Sequence, residues 1–272
     1  MSEALRRSTG TGGGQTTTTA VWAAVSGLTI GEAWLRRDEP KAPETVARFQ
    51  DAVTQLERGV PFAYAVGRVG FRTLELAIDR RALIPRPETE GLVELVLARC
   101  ATGLVADIGT GSGCIALALA VEGRFDTVIA VEQSTDAAAL ARENVERLVP
   151  KTPVEIRVGN LLVPLVDKGE RFRAIVANPP YLTAHEYEEL DLSVRVFEPR
   201  EALVSGVDGL AATRALFAGA APLLEPGGFL ALEIDERRAA AIRVLAQEYH
   251  WEVDVRDDLF GRPRYALASK EA

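Results

Sequence analysis

Cysteine and histidine are scarce: the 272-residue chain has two of each. Cys100 and Cys114 form no metal-binding or redox spacing, so free, buried thiols in a reducing compartment are expected. His185 and His250 stand apart from each other and from any ligand cluster, and no metal site is expected. A basic excess is missing too. Lys and Arg number 31 against 39 Asp and Glu, a formal net charge of −8, which gives no overall electrostatic footprint for duplex nucleic acid. No apolar run reaches membrane-spanning length and no signal-peptide pattern opens the chain. A cytoplasmic protein is expected.

Apolar residues are plentiful, at 47%, enough for a sizeable core. Residues 1–19 include the run Ser8 to Thr19, rich in Gly and Thr and without a large apolar side chain; a disordered tail is expected there. Residues 20–66 read as a small helical module. Val21, Trp22 and Val25 make one short face, and Val46, Phe49, Val53 and Leu56 recur at three- and four-residue steps before Gly59 and Pro61. The period changes over 67–80, where Val69 and Phe71, then Leu74, Leu76 and Ile78, alternate across Arg72-Thr73 as in a β-hairpin.

Residues 81–272 alternate strand and helix patterns. Candidate strands cover 104–108, 127–131, 154–158, 174–177, 229–233, 252–256 and 264–268, with helical patterns over 115–121, 136–148, 211–224 and 237–249. This alternation predicts an α/β, doubly wound, mostly parallel sheet of seven strands. Only a loop separates the last two strands, so one of them is expected to run antiparallel at the end of the sheet. Sheets of this kind bind ligands at the carboxyl ends of their strands, near the switch point.

Two motifs sit at such ends. In Asp107-Ile108-Gly109-Thr110-Gly111-Ser112-Gly113, glycines follow the first strand and lead into a helix. Missing side chains permit a sharp turn and close approach of a nucleotide-like cofactor. Glu132 ends the second strand, where a carboxylate can accept both ribose hydroxyls of an adenosine moiety. A nicotinamide cofactor is the competing ligand, although nothing in the chain suggests hydride chemistry. In Asn178-Pro179-Pro180-Tyr181 the tandem prolines fix the backbone and donate no N–H. The Asn178 side-chain oxygen and the Pro179 carbonyl can accept the two hydrogens of one NH₂ group, while Tyr181 stacks on a planar amide. Together the motifs suggest a cofactor-bound methyl group meeting a planar, neutral nitrogen.

From about Gly59 to Ala268 the chain resembles the peptide chain release factor glutamine methyltransferases, a Rossmann-like branch of the class I S-adenosylmethionine-dependent enzymes. The resemblance rests on both motifs, on Leu83-Ile-Pro-Arg-Pro-Glu-Thr-Glu90, on Phe197-Glu198-Pro199 and on Asp258-Leu-Phe-Gly-Arg262. It implies that Asp107, Gly109, Thr110, Gly111, Ser112 and Gly113 bind S-adenosyl-L-methionine, with Glu132 on its ribose and Asn160 and Leu161 by its adenine. Asn178 would touch both cofactor and substrate. Asn178, Pro179, Pro180 and Tyr181 would clamp the glutamine of a Gly-Gly-Gln motif in a release factor, with Arg86 and Glu88 in the wall beside it or joined in a salt bridge that orders the loop. The implied partner is a release factor, with no direct nucleic-acid contact, no membrane and a monomeric enzyme. A ribosomal-protein glutamine or an adenine amine as substrate, and a non-catalytic cofactor-binding protein, are the alternatives.

The chain departs from that pattern in four places. Glu132 stands where relatives carry Asp, Asn160 where they carry an acid, and Asp235 in a turn that is often glycine. The amino-terminal domain is short and begins with the Thr/Gly tail, whose Gly13-Gly14-Gln15 repeats the substrate motif, an expected coincidence of composition.

Overall fold

The computed structural model describes residues 18–270. The expected disordered tail, with Gly13-Gly14-Gln15, lies outside the described residues apart from its last two positions, which already belong to a helix. Two compact units divide the chain after Arg68.

Among the described residues the first unit holds four helices: α1 (Thr18–Ser26), α2 (Ile30–Leu35), α3 (Pro43–Glu57) and α4 (Phe62–Val66). Sequence signals set their ends. Thr29 and Glu32 form a reciprocal capping box at the start of α2, and Pro43 opens α3, where its missing N–H costs nothing. Val21, Val25 and Ala52 are buried together, with Phe49, Val53 and Leu56 packed around them. Trp22 meets Phe49 edge to face at 5.5 Å between centroids.

The second unit opens with the remainder of a hairpin, β1 (Arg68–Phe71) and β2 (Leu74–Ala77). Arg72 takes a left-handed φ of 50° in its turn and is held by its guanidinium. Nε and Nη2 donate to the two Glu122 oxygens at 2.7 and 2.6 Å, and Nη1 donates to the Glu90 carbonyl at 3.0 Å. Next come α5 (Pro87–Arg99), β3 (Leu104–Ile108), α6 (Cys114–Glu122), β4 (Thr127–Glu132), α7 (Thr135–Leu148), β5 (Val154–Val158) and β6 (Phe172–Ala177). Two short helices, α8 (Ala184–Glu188) and α9 (Leu192–Phe197), precede α10 (Ala211–Gly219), β7 (Leu224–Glu233), α11 (Ala239–Glu248), β8 (Trp251–Asp257) and β9 (Pro263–Lys270).

The seven-stranded sheet has the order β5-β4-β3-β6-β7-β9-β8. Strands β3 to β7 are mutually parallel, and β9 runs antiparallel to both neighbours. The antiparallel strand therefore lies one place in from the edge rather than at the end: the short loop after β8 folds β9 back between β7 and β8. Alternate residues of the central strands face two cores. Val105, Val128, Ala174 and Val176 pack with Leu92, Val96 and Leu117 of α5 and α6. Ala106, Ile129, Ile175 and Leu232 pack with Leu216, Ile242 and Leu245 of α10 and α11. Burial on both faces is why these strands read as near-continuous apolar runs. The strand order reverses between β3 and β6, and the crevice there is where this topology places a ligand.

Candidate active site

A cavity of about 750 Å³ opens at that crevice, lined from the glycine turn, the ends of β4 and β6, and the loops 81–86 and 199–206. Of the sequence-predicted residues it brings together Gly109, Thr110, Gly111, Ser112, Glu132, Asn160, Leu161, Asn178, Pro180 and Arg86. Asp107, Gly113, Pro179, Tyr181 and Glu88 are not in its wall.

The glycine turn is held from behind. Asp107 has no exposed surface; its Oδ2 accepts from Thr110 Oγ1 at 2.6 Å and from the Ala116 N–H at 3.1 Å. Burial pushes this carboxyl up to about 7, against those two hydrogen bonds. Gly109 and Gly111 have φ of 75° and 56°, and a Cβ on Gly109 would stand in open space. Gly113 serves packing instead: with φ of 85°, its missing side chain leaves room for Leu117 and Ala141. Asn144 on α7, fully buried, donates to the Ser112 carbonyl at 2.9 Å and bonds both backbone groups of Ala77. The hairpin is thereby pinned to the turn.

Glu132 ends β4 with each oxygen on one backbone N–H, Oε2 on Gly111 and Oε1 on Ser134, both at 2.9 Å. A carboxylate oxygen has two acceptor positions, so each keeps one for a ligand. Leu161 adopts a left-handed φ of 46° beside Asn160, at the turn after β5.

Asn178 follows β6 directly. Its Nδ2 donates to Thr89 Oγ1 at 3.0 Å, and Thr89 Oγ1 lies 2.6 Å from Glu233 Oε2. Thr89 and Glu233 are each 2% exposed, and burial lifts the Glu233 carboxyl to about 7. Past the prolines, Leu182 N–H donates to the Leu203 carbonyl at 2.9 Å, and Ser205 N–H to the Leu182 carbonyl at 2.8 Å. Tyr181 packs on the Leu182, Tyr187 and Leu203 cluster, and burial raises its hydroxyl to about 12.

Arg86 pairs with Glu198 at 2.6 Å, not with Glu88, and the second Glu198 oxygen accepts from the Ile84 N–H at 3.2 Å. Phe197-Glu198-Pro199 thus anchors the proline-rich loop. Asp235 causes no backbone strain: at φ −77° it caps the following turn and pairs with Arg237 at 2.8 Å. Both thiols are free and only half-buried. Thr89 lies within the 83–90 segment and Glu233 ends a predicted strand, and the sequence alone assigns neither a role. Among the described residues no helix is long and apolar enough to cross a membrane, and no cluster of metal-ligating side chains occurs.

The glycine turn, the strand-end carboxylate and the crevice at the switch point define a class I, Rossmann-like methyltransferase, with S-adenosylmethionine as its cofactor. The residues fit that group. The open space at Gly109 admits it, and Glu132 keeps two acceptor positions at the cavity wall. The family model Methyltransferase small domain matches residues 88–206. The release factor glutamine methyltransferase of Xylella fastidiosa (strain Temecula1) is 44% identical over 223 residues, 80% of this chain and 80% of that protein. The one of Moorella thermoacetica is 40% identical over 252 residues, covering 91% and 87%. A solved methyltransferase from Pyrococcus furiosus shares the fold with a TM-score of 0.53 at 20% identity, over 84% of this chain and 98% of that one. The chain belongs to the release factor glutamine methyltransferase family.

Proposed function

We propose that this protein, as a cytoplasmic monomer, methylates the side-chain amide nitrogen of the glutamine in a release factor's Gly-Gly-Gln loop. The observation that carries the reading is the placement of Asn178: its amide nitrogen is occupied by Thr89, while the residue lines the same cavity as Gly109 to Ser112 and Glu132. An acceptor oxygen is therefore left for the substrate beside the cofactor cradle.

When bound, S-adenosylmethionine supplies an electrophilic methyl carbon on a sulfonium. Gly109, Thr110, Gly111 and Ser112 would hold it by backbone and hydroxyl contacts, with Glu132 on its ribose and Asn160 and Leu161 by its adenine. Asp107 and Gly113 shape that turn from behind. The Asn178 Oδ1 and the Pro179 carbonyl, the latter outside the cavity lining, would accept the two amide hydrogens of the glutamine and so orient the flat face of its nitrogen for transfer. Pro180 would bound the planar group and Arg86 the outer wall, while Tyr181 and Glu88, outside the cavity lining, would support them. An amide nitrogen is a weak nucleophile because its lone pair is delocalised, so alignment is the main service these residues give. No base is needed before attack, since the proton leaves after the nitrogen becomes cationic.

Methyl transfer from labelled S-adenosylmethionine to a purified release factor tests the reading, with native Gly-Gly-Gln compared against Gly-Gly-Ala. Label on the native factor alone is expected. Equal label on both, or on neither while cofactor binds, overturns it.

A further inference from the structure

We infer that Thr89 and Glu233 form a polarised hydrogen-bond relay that fixes which end of the Asn178 amide faces the substrate, and that both are positioning residues. The inference rests on the reading of Asn178 as acceptor for the substrate amide.

Three elements meet at the relay. Ala177 and Leu232 are register partners on the adjacent parallel strands β6 and β7, so Asn178 and Glu233 stand side by side at the carboxyl edge of the sheet. Thr89, in the first turn of α5, bridges them at 3.0 and 2.6 Å. A threonine hydroxyl has one proton, and an ionised carboxylate only accepts. The Thr89 proton therefore belongs to Glu233, and Thr89 Oγ1 faces Asn178 with lone pairs alone. Only the NH₂ end of the Asn178 amide can satisfy it. The flipped amide would set oxygen against oxygen at a threonine only 2% exposed, where a lost partner is costly. Asn178 Oδ1 is thus turned away from Thr89, to receive a donor.

Protonation of Glu233 reverses the chain. A carboxyl group can donate to Thr89 Oγ1, which frees the Thr89 proton for Asn178 Oδ1. The Asn178 NH₂ then faces the substrate amide, itself a donor at nitrogen, and alignment is lost. The surroundings set where this happens. Arg264 and Arg86 favour the ionised carboxylate and Glu88 opposes it, but burial dominates and holds the group near 7. Tyr181, Tyr265 and Cys114 are the other titratable groups that feel its charge; burial raises all three, so they stay neutral there.

The experiment uses the full chain with Thr89→Val, Thr89→Ser and Glu233→Gln, assayed with labelled S-adenosylmethionine and a purified release factor across pH 6 to 8.5. Thr89→Val keeps shape and removes the bridging oxygen; kcat is expected to fall about 10- to 100-fold with cofactor affinity and KM for the factor little changed. Thr89→Ser restores most of it. The wild-type kcat rises with pH through about 7. Glu233→Gln can accept from or donate to Thr89 at any pH, so its kcat is expected to be intermediate and flat. A wild-type kcat in Thr89→Val, or an acid limb near pH 7 surviving in Glu233→Gln, overturns the relay. If Thr89→Val does not fold, the Glu233→Gln profile decides alone. A second readout needs no substrate: one Asn178 side-chain N–H, assigned by its loss in Asn178→Ala, should be protected from solvent exchange in the wild type at pH 8. It should lose protection in Thr89→Val, and kept protection there overturns the relay. Absence of transfer by the wild type would instead count against the substrate reading, and the exchange measurement still decides the relay.

Discussion

An asparagine amide offers two donors and an acceptor oxygen, and at Asn178 the protein engages the nitrogen end itself. Removing that side chain should abolish the acceptor without touching the cradle. Asn178→Ala is expected to lower methyl transfer about 100-fold or more, with cofactor affinity largely kept, as calorimetry would show. Two carboxyls give a second expectation at this scale. Asp107 and Glu233 are both lifted by burial to about 7, from 3.8 and 4.5. The folded chain therefore binds more protons than the unfolded chain between those values and 7, and stability falls as pH rises through that window. Cofactor-free protein should melt several degrees higher at pH 6 than at pH 8, and Glu233→Gln should narrow the gap. Equal melting temperatures in the wild type would remove the argument. The glycines and Asn178 were legible in the sequence because each chemistry sits in one short motif. Thr89 and Glu233 were not, because their roles exist only where α5, β6 and β7 meet. Asp107 shows the converse: its place in a cofactor motif is plain, but not that one of its carboxylate oxygens is spent inside the turn.

The strands were readable because burial on both faces leaves unbroken apolar runs, and β3 and β5 have the very bounds that the pattern predicts. Helices α8 and α9 were missed. They span five and six residues, too short for a 3.6-residue period to repeat, and the available signs were caps, the Thr183–Glu186 box of α8 and Asp191 before α9. The predicted helix over 211–224 in fact stops at Gly219, where a tight turn with Pro222 takes over. Helix α5 carries a residue whose effect depends on its neighbour. Alanine for glycine inside a helix usually stabilises by about 1 kcal/mol. A Cβ on Gly91, however, would overlap the hydroxyl of Tyr265, which is buried and donates to the Glu88 carbonyl at 2.7 Å. Gly91→Ala is therefore expected to destabilise, by about 1–3 kcal/mol, in a denaturant titration. A gain in stability would mean that Tyr265 yields easily.

At the scale of the molecule, each unit has its own buried core residues, the second on both faces of its sheet. All the residues that line the cavity lie between Arg81 and Ala215, within the second unit, whereas Val21 is buried in the first at 2% exposure. Val21→Asp places an unpaired charge in that small core, a change costing several kcal/mol. Proteolysis should then cut the first unit readily, while cofactor affinity stays within about two-fold of the wild type. Loss of cofactor binding would show that the cradle depends on the helical unit.

The bridge between Leu182 and the 203–205 segment is made by main-chain groups alone. The hydrogen bonds of such a fastening place no demand of their own on side-chain identity; what constrains Leu182 and Leu203 is the apolar cluster in which they are buried. Proline is the exception, since it alone has no N–H to give: at Leu182 or Ser205 it would undo the fastening, and in a chain whose own motif depends on two prolines, their exclusion two residues further on becomes part of the same design.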